Sequence, residues 1–544
     1  MNAPLRSTAE NTVAGLIAHG IDTLYCLPGV QNDHLFNALY DAQDRIRIVH
    51  TRHEQGAAYM ALGHAMASGR PSAFCVVPGP GVLNTTAALS TAYALNVPVL
   101  ALTGQIPQRH IGRGYGLLHE LPDQLGVLRS LTKWAARIPD AQSARGLVDE
   151  AFRQLQGGRP RPVALECAID VWGRRAPAVP APAPAAVRAA NVDEAVLERA
   201  VDCLLAARRP LILLGGGAQD AGASVQAIAE ALQAPVSSAR MGRGVLDVRH
   251  ALCITPPVAH RMWPQVDLVL AIGTRMQTQY MVWGMDSGIR VVRVEVDPEE
   301  IERHGPPEVA LQGRAEEVLP QLLERLRARL AGAVREAPAE LAGHRRAVEE
   351  QVATLGPQLE LLRAIRRVLP EDGIFVEDMT QVGYTARFAF PVWRPRTYLC
   401  TGYQGTLGWG YATALGAKVA RPEAAVVSVC GDGGFMFNVQ ELATAAQHGI
   451  GVVSLVFDDG AFGNVRRLQQ AQFPGRNIAD SLANPDFVQL ARSFGISAWR
   501  ADGAAQLEDM LGQALAAGRP ALIHVPVGDM PDPWRFLNMP RLRG

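Results

Sequence analysis

A chain of 544 residues is too long for one compact core, so two to four domains are expected. Its 52 basic and 52 acidic residues cancel, which leaves no electrostatic footprint for nucleic acid or an anionic membrane. Seven scattered cysteines without a CxxC pair argue against a zinc site and against a secreted disulfide framework. Residues 1–20 show neither a long apolar core nor a small-residue cleavage site, and no run of eighteen apolar residues occurs; the expectation is a cytoplasmic chain.

In chain order, short β-branched runs alternate with longer helical patterns. Strands are expected at 72–77 and 97–102, each closed by a Gly/Pro turn, PGPG and TGQIP. Alternating Pro and Ala over 176–190 reads as an extended, semi-rigid interdomain linker. Beyond it, a strand at 211–214 runs into GGG, and strands at 268–272 and 291–296 follow at helical intervals. A charged Ala/Arg/Glu segment over 331–356 forms a second break. Strands at 425–429 and 452–457 then flank a helix. Apolar strands alternating with helices indicate parallel sheets covered on both faces. The predicted fold is α/β, with three doubly wound parallel-sheet domains over 1–175, 191–335 and 356–544.

The chemistry concentrates in VVSVCGDGGFMFNVQELATAAQHGIGVVSLVFDDGAFGN. One strand ends at Cys430, Gly-Asp-Gly-Gly turns, and a helix is expected from about Asn438. A second strand ends at Phe457 and runs into Asp458-Asp459-Gly460. In a right-handed βαβ unit both strand ends emerge on one edge, so Asp432 and Asp459, 27 residues apart, can approach each other there. Glycines let the backbone approach phosphate, and the helix start offers unpaired N–H groups. Two carboxylates would repel a bare diphosphate, so a bridging hard cation such as Mg²⁺ is required. On spacing alone, a pair of acidic loop residues with no metal remains an equal alternative.

These residues resemble the thiamine-diphosphate signature of the acetolactate synthase, pyruvate oxidase and benzoylformate decarboxylase superfamily. That signature usually ends in Asn-Asn or Asn-Asp, where this chain has Asp458 and Asp459. YCLPGVQNDHLF, RHEQGAAYMA, PGPGVLN and TGQIP resemble the superfamily's pyrimidine-binding domain in order, and GYQGTLGWGYATALGAK resembles the segment before GDG. The resemblance implies Mg²⁺ held by Asp432, Asp459 and the carbonyl of Ala461. Around the cofactor it places Gly431, Gly433, Gly434 and Phe462, with Thr380 and Gln381 reaching the diphosphate. Leu407, after Gly405, would prop the cofactor into a bent shape. Gly29 and Glu54 belong to the pyrimidine side, where the glutamate's carboxyl would promote formation of the C2 ylid. The two halves of the site are implied to come from different subunits of a homodimer or homotetramer.

The resemblance further implies non-oxidative decarboxylation of a 2-oxo acid, carboligation, or both, through an enamine. His119 stands where acetolactate synthases carry a Gln and pyruvate decarboxylases a His, and would relay protons or orient the substrate. Val30 and Val77 replace ionisable residues of some decarboxylases. Asn464 and Leu468 replace the Met and Trp usual in acetolactate synthases, while Arg466 and Arg467 are candidates for a substrate carboxylate. LILLGGGAQDAG and VEVDPEEIERH resemble the nucleotide fold that holds FAD in synthases and oxidases, but GTRMQTQYMVW departs from the flavin pattern, so FAD stays open. An FAD-containing, acetolactate synthase-like carboligase is therefore the alternative. A nicotinamide-dependent dehydrogenase fits less well, because Asp220 occupies the last glycine position of a GxGxxG reading.

Overall fold

A computed structural model describes residues 4–177 and 192–544. The expected Pro/Ala linker lies outside the described residues from 178 onward. Its first two residues, Ala176 and Pro177, belong to a strand, Arg175–Pro177, paired antiparallel with Leu5–Ser7. Three six-stranded sheets carry the chain, and every pairing within them is parallel. The predicted class, three doubly wound α/β domains, is the observed one.

Across its width the N-terminal sheet runs Arg47–His50, Thr23–Cys26, Ser72–Val76, Val99–Gln105, Val163–Ala168 and Trp134–Ile138. The C-terminal sheet runs Tyr398–Leu399, Ile374–Glu377, Val426–Gly431, Val452–Asp458, Ala521–Pro526 and Ser497–Arg500. Numbered along the chain within each domain, both orders are 2-1-3-4-6-5, so the outer domains are two copies of one topology. The middle sheet, Cys253–Ile254, Val236–Ser238, Pro210–Leu214, Leu268–Ile272, Arg290–Glu295 and Val309–Gln312, is 3-2-1-4-5-6, an order that opens a crevice between its first and fourth strands. Ser72–Val76 and Val426–Gly431 are buried at every position, which is why they read as continuous apolar runs. The expected turn at TGQIP starts late: Thr103, Gly104 and Gln105 stay in the ladder, paired with Glu166, Cys167 and Ala168.

The two outer domains meet through equivalent helices, Glu54–Ser68 and Trp409–Ala420, each of which follows the second strand of its domain. Both are buried nearly all round, as a helix enclosed by protein must be. Gly63 and Gly416 permit main-chain contact between them. A side chain at Gly63 would start 2.0 Å from the Thr413 carbonyl oxygen, and one at Gly416 would start 1.9 Å from that of Met60.

The segment 331–356 is not simply a break. It contains the helix Leu341–Val352, whose Leu341 and Val348 pack with Trp263 and Trp283 of the middle domain. These two apolar positions lie two turns apart in an otherwise polar run, too sparse a stripe to read as a buried face. The end of the chain returns to the same place. His260 donates to the Pro540 carbonyl at 2.8 Å, and the N–H groups of Leu542 and Arg543 donate to that of Trp283. No helix among the described residues is long and apolar enough to cross a membrane.

Candidate active site

In the C-terminal sheet, Gly431 lies opposite Phe457 in parallel register, so the chain segments after both strands leave the sheet side by side. The expected helix runs over Glu441–His448, close to the start read at Asn438, and a short helical turn, Asp432–Phe435, precedes it on the GDGG segment itself. Consecutive glycines have poor helix propensity and read as a turn, but packing overrides propensity here. A side chain at Gly433 would start 2.6 Å from the Phe462 ring, and one at Gly434 would start 3.5 Å from the Asp378 carboxylate.

Three carboxylates meet at this edge, and they behave differently. Burial pushes Asp432 up to about 6; bonds from Asn484 and the Gly433 N–H oppose this, while Asp459 and Asp458 add to it. Burial also raises Asp459. Asp458 shifts down: burial works against its charge, but hydrogen bonds from His524, the Gly460 N–H and Asn484 outweigh it. The Asn484 amide donates to Asp432 Oδ2 at 2.6 Å and to Asp458 Oδ1 at 2.8 Å. His524 Nε2 lies 2.9 Å from Asp458 Oδ2. Hydrogen bonding thus favours the charged form of Asp458, whereas burial disfavours the charged forms of Asp432 and Asp459, a cost that a bound cation would offset. Among the described residues no three acidic, His or Cys side chains converge as a metal cage. Two carboxylates and a main-chain carbonyl, completed by phosphate oxygens, are donors that suit Mg²⁺.

Around this cluster, Thr380 caps the helix Gln381–Ala389 and faces Gly431, where an added side chain would meet Thr380 Cβ at 3.6 Å. Thr380 and Gln381 are buried, and Gln381 Oε1 accepts from Arg467 at 3.1 Å. Ala461 is buried and pairs across the loop with Ser481. Gly405 is exposed and Leu407 half-buried, on the loop before Trp409. Neither arginine proposed for a substrate carboxylate is free. Arg466 pairs with Asp480 at 2.7 Å, and Arg467 is held by Gln381, Asp532 at 3.0 Å and the Met530 carbonyl. Asn464 accepts from the Trp534 indole at 2.6 Å.

The N-terminal domain gathers a second group at the corresponding edge. Glu54 opens its helix, is 9 % exposed, and accepts from the Asn84 amide through Oε2 at 2.9 Å. A side chain at Gly81 would start 3.7 Å from Glu54 Oε1 and 2.7 Å from Val77, and one at Gly29 would start 2.4 Å from Val77. His119 stands against Gly79 and pairs with Gln31. No hydrogen bond or ion pair among the described residues joins this group to the acidic cluster. The domains touch elsewhere, through Arg52 and His53 N–H donating to Glu441 and through Thr91 with Thr406. Asn84, Asn484, His524 and Gln31 were not singled out from the sequence. Gln31 and Asn84 lie inside the quoted motifs YCLPGVQNDHLF and PGPGVLN without a role assigned to them, and Asn484 and His524 reach the site from distant segments with no motif of their own.

A cavity of about 700 Å³ lies apart from the acidic cluster, at the middle sheet's crevice, lined by Gly215, Gly216, Gly217, Thr274 and Arg275. Glu295, which also lines the cavity at the end of its strand, is spent on the N–H groups of Val296 and Asp297 and on Arg159. Asp220, which breaks the glycine pattern, pairs with Arg396 at 2.7 Å.

Comparison with known proteins agrees with this division. Family models for thiamine pyrophosphate enzymes match in three parts: the N-terminal TPP-binding domain over 6–127, the central domain over 197–322 and the C-terminal TPP-binding domain over 378–525. A protein named probable 2-ketoarginine decarboxylase AruI, from Pseudomonas aeruginosa, is 34 % identical over 508 residues, 90 % of this chain and 88 % of its own length. A probable acetolactate synthase large subunit of Methanocaldococcus jannaschii is 30 % identical over 561 residues, covering 98 % of this chain and 93 % of its own. The acetolactate synthase isozyme 1 large subunit of Escherichia coli is 28 % identical, at 95 % and 93 % coverage. With all three domain models matched in order over the observed domains, the chain belongs to the thiamine pyrophosphate enzyme family.

Proposed function

We propose that this chain catalyses non-oxidative decarboxylation of a 2-oxo acid, releasing an aldehyde or joining the remaining fragment to a second carbonyl compound. The observation that carries the reading is the unequal state of the acids beside Gly431. Burial raises Asp432 and Asp459, a cost that a cation would offset, while hydrogen bonds with His524 and Asn484 lower Asp458. In this reading Asp432, Asp459 and the Ala461 carbonyl hold Mg²⁺, and Thr380, Gln381, Gly431, Gly433 and Gly434 surround the diphosphate. When bound, thiamine diphosphate supplies the electron sink that lets a 2-oxo acid lose CO₂. Asn84 occupies Glu54 Oε2, so Oε1 is the atom left to hold or release a proton toward the cofactor ring. No hydrogen bond or ion pair among the described residues joins Glu54 to the acidic cluster, and in this reading a second copy supplies the missing half.

The name of the Pseudomonas relative makes guanidino-bearing 2-oxo acids the first substrates to test. Purified enzyme with Mg²⁺ and thiamine diphosphate is incubated with straight-chain, aromatic and guanidino 2-oxo acids, and CO₂, aldehyde and acyloin are followed. Glu54→Gln should abolish CO₂ release while leaving cofactor retention intact. Equal turnover in the variant would remove Glu54 from the mechanism, and no CO₂ from any 2-oxo acid would remove the reading itself. The cavity at the middle sheet supports one alternative, an FAD-containing carboligase, since its size and position suit a dinucleotide. A flavin absorption band in the purified protein decides between them.

A further inference from the structure

Gln31 is 4 % exposed, one residue after the exposed Val30, in the short turn Val30–Asn32. Its amide makes two contacts with one loop. Nε2 donates to the Leu118 carbonyl at 3.3 Å, and Oε1 lies 3.2 Å from His119 Nδ1. A carbonyl oxygen only accepts, so the amide group facing Leu118 is the NH₂. The atom facing His119 is then the oxygen, which also only accepts. Nδ1 must therefore carry the hydrogen, and in the neutral ring the lone pair lies on Nε2.

The backbone supports a built arrangement. His119 has φ +68, in the left-handed region that few residues other than glycine adopt, though histidine does so more readily than most. It is pressed against Gly79, where an added side chain would start 2.6 Å from the His119 carbonyl oxygen. Gly79 is fixed in turn: its N–H donates to Gln124 Oε1 at 2.8 Å, and Gln124 Nε2 donates to Glu166, a buried carboxylate paired with Arg137 at 2.6 Å. The turn is braced and one ring nitrogen is held by a buried amide, which leaves Nε2 as the nitrogen free to meet a ligand.

Building on the assignment of His119 to the substrate side, we infer that Gln31 is a positioning residue that locks His119 in the Nδ1–H tautomer and presents Nε2 to the substrate. Neutral, Nε2 accepts a hydrogen bond or proton; protonated, it donates to a carboxylate or carbonyl oxygen. Nδ1–H stays bonded to Gln31 in both states, so proton exchange is confined to Nε2 without disturbing the ring. The other ionisable groups nearby are turned elsewhere: His53 Nδ1 accepts from the Gln55 N–H and lies 4.0 Å from Glu54, and Glu120 accepts from the Gly114 and Leu117 N–H groups.

The test uses full-length enzyme selectively labelled with ¹⁵N-histidine, the His119 signal being identified by its loss in His119→Gln. Gln31→Leu should move His119 away from the Nδ1–H form and lower kcat/KM roughly tenfold or more, with Mg²⁺ and thiamine diphosphate affinity unchanged. Gln31→Glu keeps an acceptor for Nδ1–H and should restore both the tautomer and most of the turnover. An unchanged tautomer in Gln31→Leu overturns the inference whatever turnover does, and an altered tautomer at full turnover overturns its catalytic consequence. Full turnover in His119→Ala would instead bring down the underlying assignment of His119, which the tautomer measurement does not depend on.

Discussion

Asp378 lies fully buried beneath the Gly431–Gly434 turn. Its carboxylate accepts from the Met379 N–H at 2.7 Å and the Gly410 N–H at 3.2 Å, tying together the loops on which Thr380 and Leu407 sit. Burial outweighs those bonds and pushes it up to about 7. Between the unfolded value near 4 and that value, the folded protein keeps a proton the unfolded chain has lost. Its contribution to stability is therefore complete below about pH 4 and declines as pH rises through 7. Asp378→Asn should lower stability by about 1 kcal/mol, because the amide cannot accept both N–H groups, and should flatten this decline. Urea unfolding of cofactor-free protein from pH 4 to 8 measures both; parallel pH slopes for the two proteins would show that Asp378 does not titrate there. At this scale the GDGG turn and the DDG after the next strand marked Asp432 and Asp459 as candidates at one sheet edge, while Glu54 was singled out only by the resemblance of RHEQGAA to a pyrimidine-binding domain. The sequence was silent on Asp378 as a buried tie and on Asn484, which comes from beyond the next helix to bridge two acids.

The helix Glu54–Ser68 carries Glu54 at its start, and its counterpart Trp409–Ala420 follows directly on the loop of Gly405 and Leu407. The closeness of this pair depends on two hydrogen atoms. Gly63→Ala or Gly416→Ala places a methyl about 2 Å from a carbonyl oxygen of the opposing helix, so the helices must separate along a fully buried face. Overpacking of this kind costs about 1–3 kcal/mol or more, and thermal unfolding should register it in either variant. Gly146→Ala is the contrasting case: it lies within the helix Ala141–Gln156 with open space around it, and should stabilise by up to about 1 kcal/mol through helix propensity alone. Equal effects at all three positions would show that main-chain contact between the helices is not limiting. Strands were the legible elements, since burial on both faces leaves unbroken apolar runs such as Leu268–Ile272. Helices were less so. Glycine hid the short helical turn at Asp432, and a two-residue apolar stripe hid Leu341–Val352.

At the scale of the molecule, three α/β domains were visible in the alternation of strands and helices, but the shared 2-1-3-4-6-5 order of the outer two was not. Strand order depends on which crossovers skip a neighbour, and apolar periodicity carries no record of that. The duplication has a functional corollary. In the proposed site each outer domain carries one half, Glu54 with His119 and Asp432 with Asp459, and among the described residues no hydrogen bond or ion pair joins the two halves within a chain. If a site forms from the Glu54 edge of one copy and the Asp432 edge of another, two dead variants can rescue each other. Glu54→Gln and Asp432→Ala chains, each inactive alone, would be unfolded together and refolded as an equal mixture. Random pairing makes half of the dimers mixed, and each mixed dimer holds one site with both residues intact, so about a quarter of native CO₂ release should return. The other site of that dimer carries both substitutions and contributes nothing. Sites closed within single chains would leave the mixture as inactive as its parts, and that result would place Glu54 and Asp432 in one chain's active centre after all.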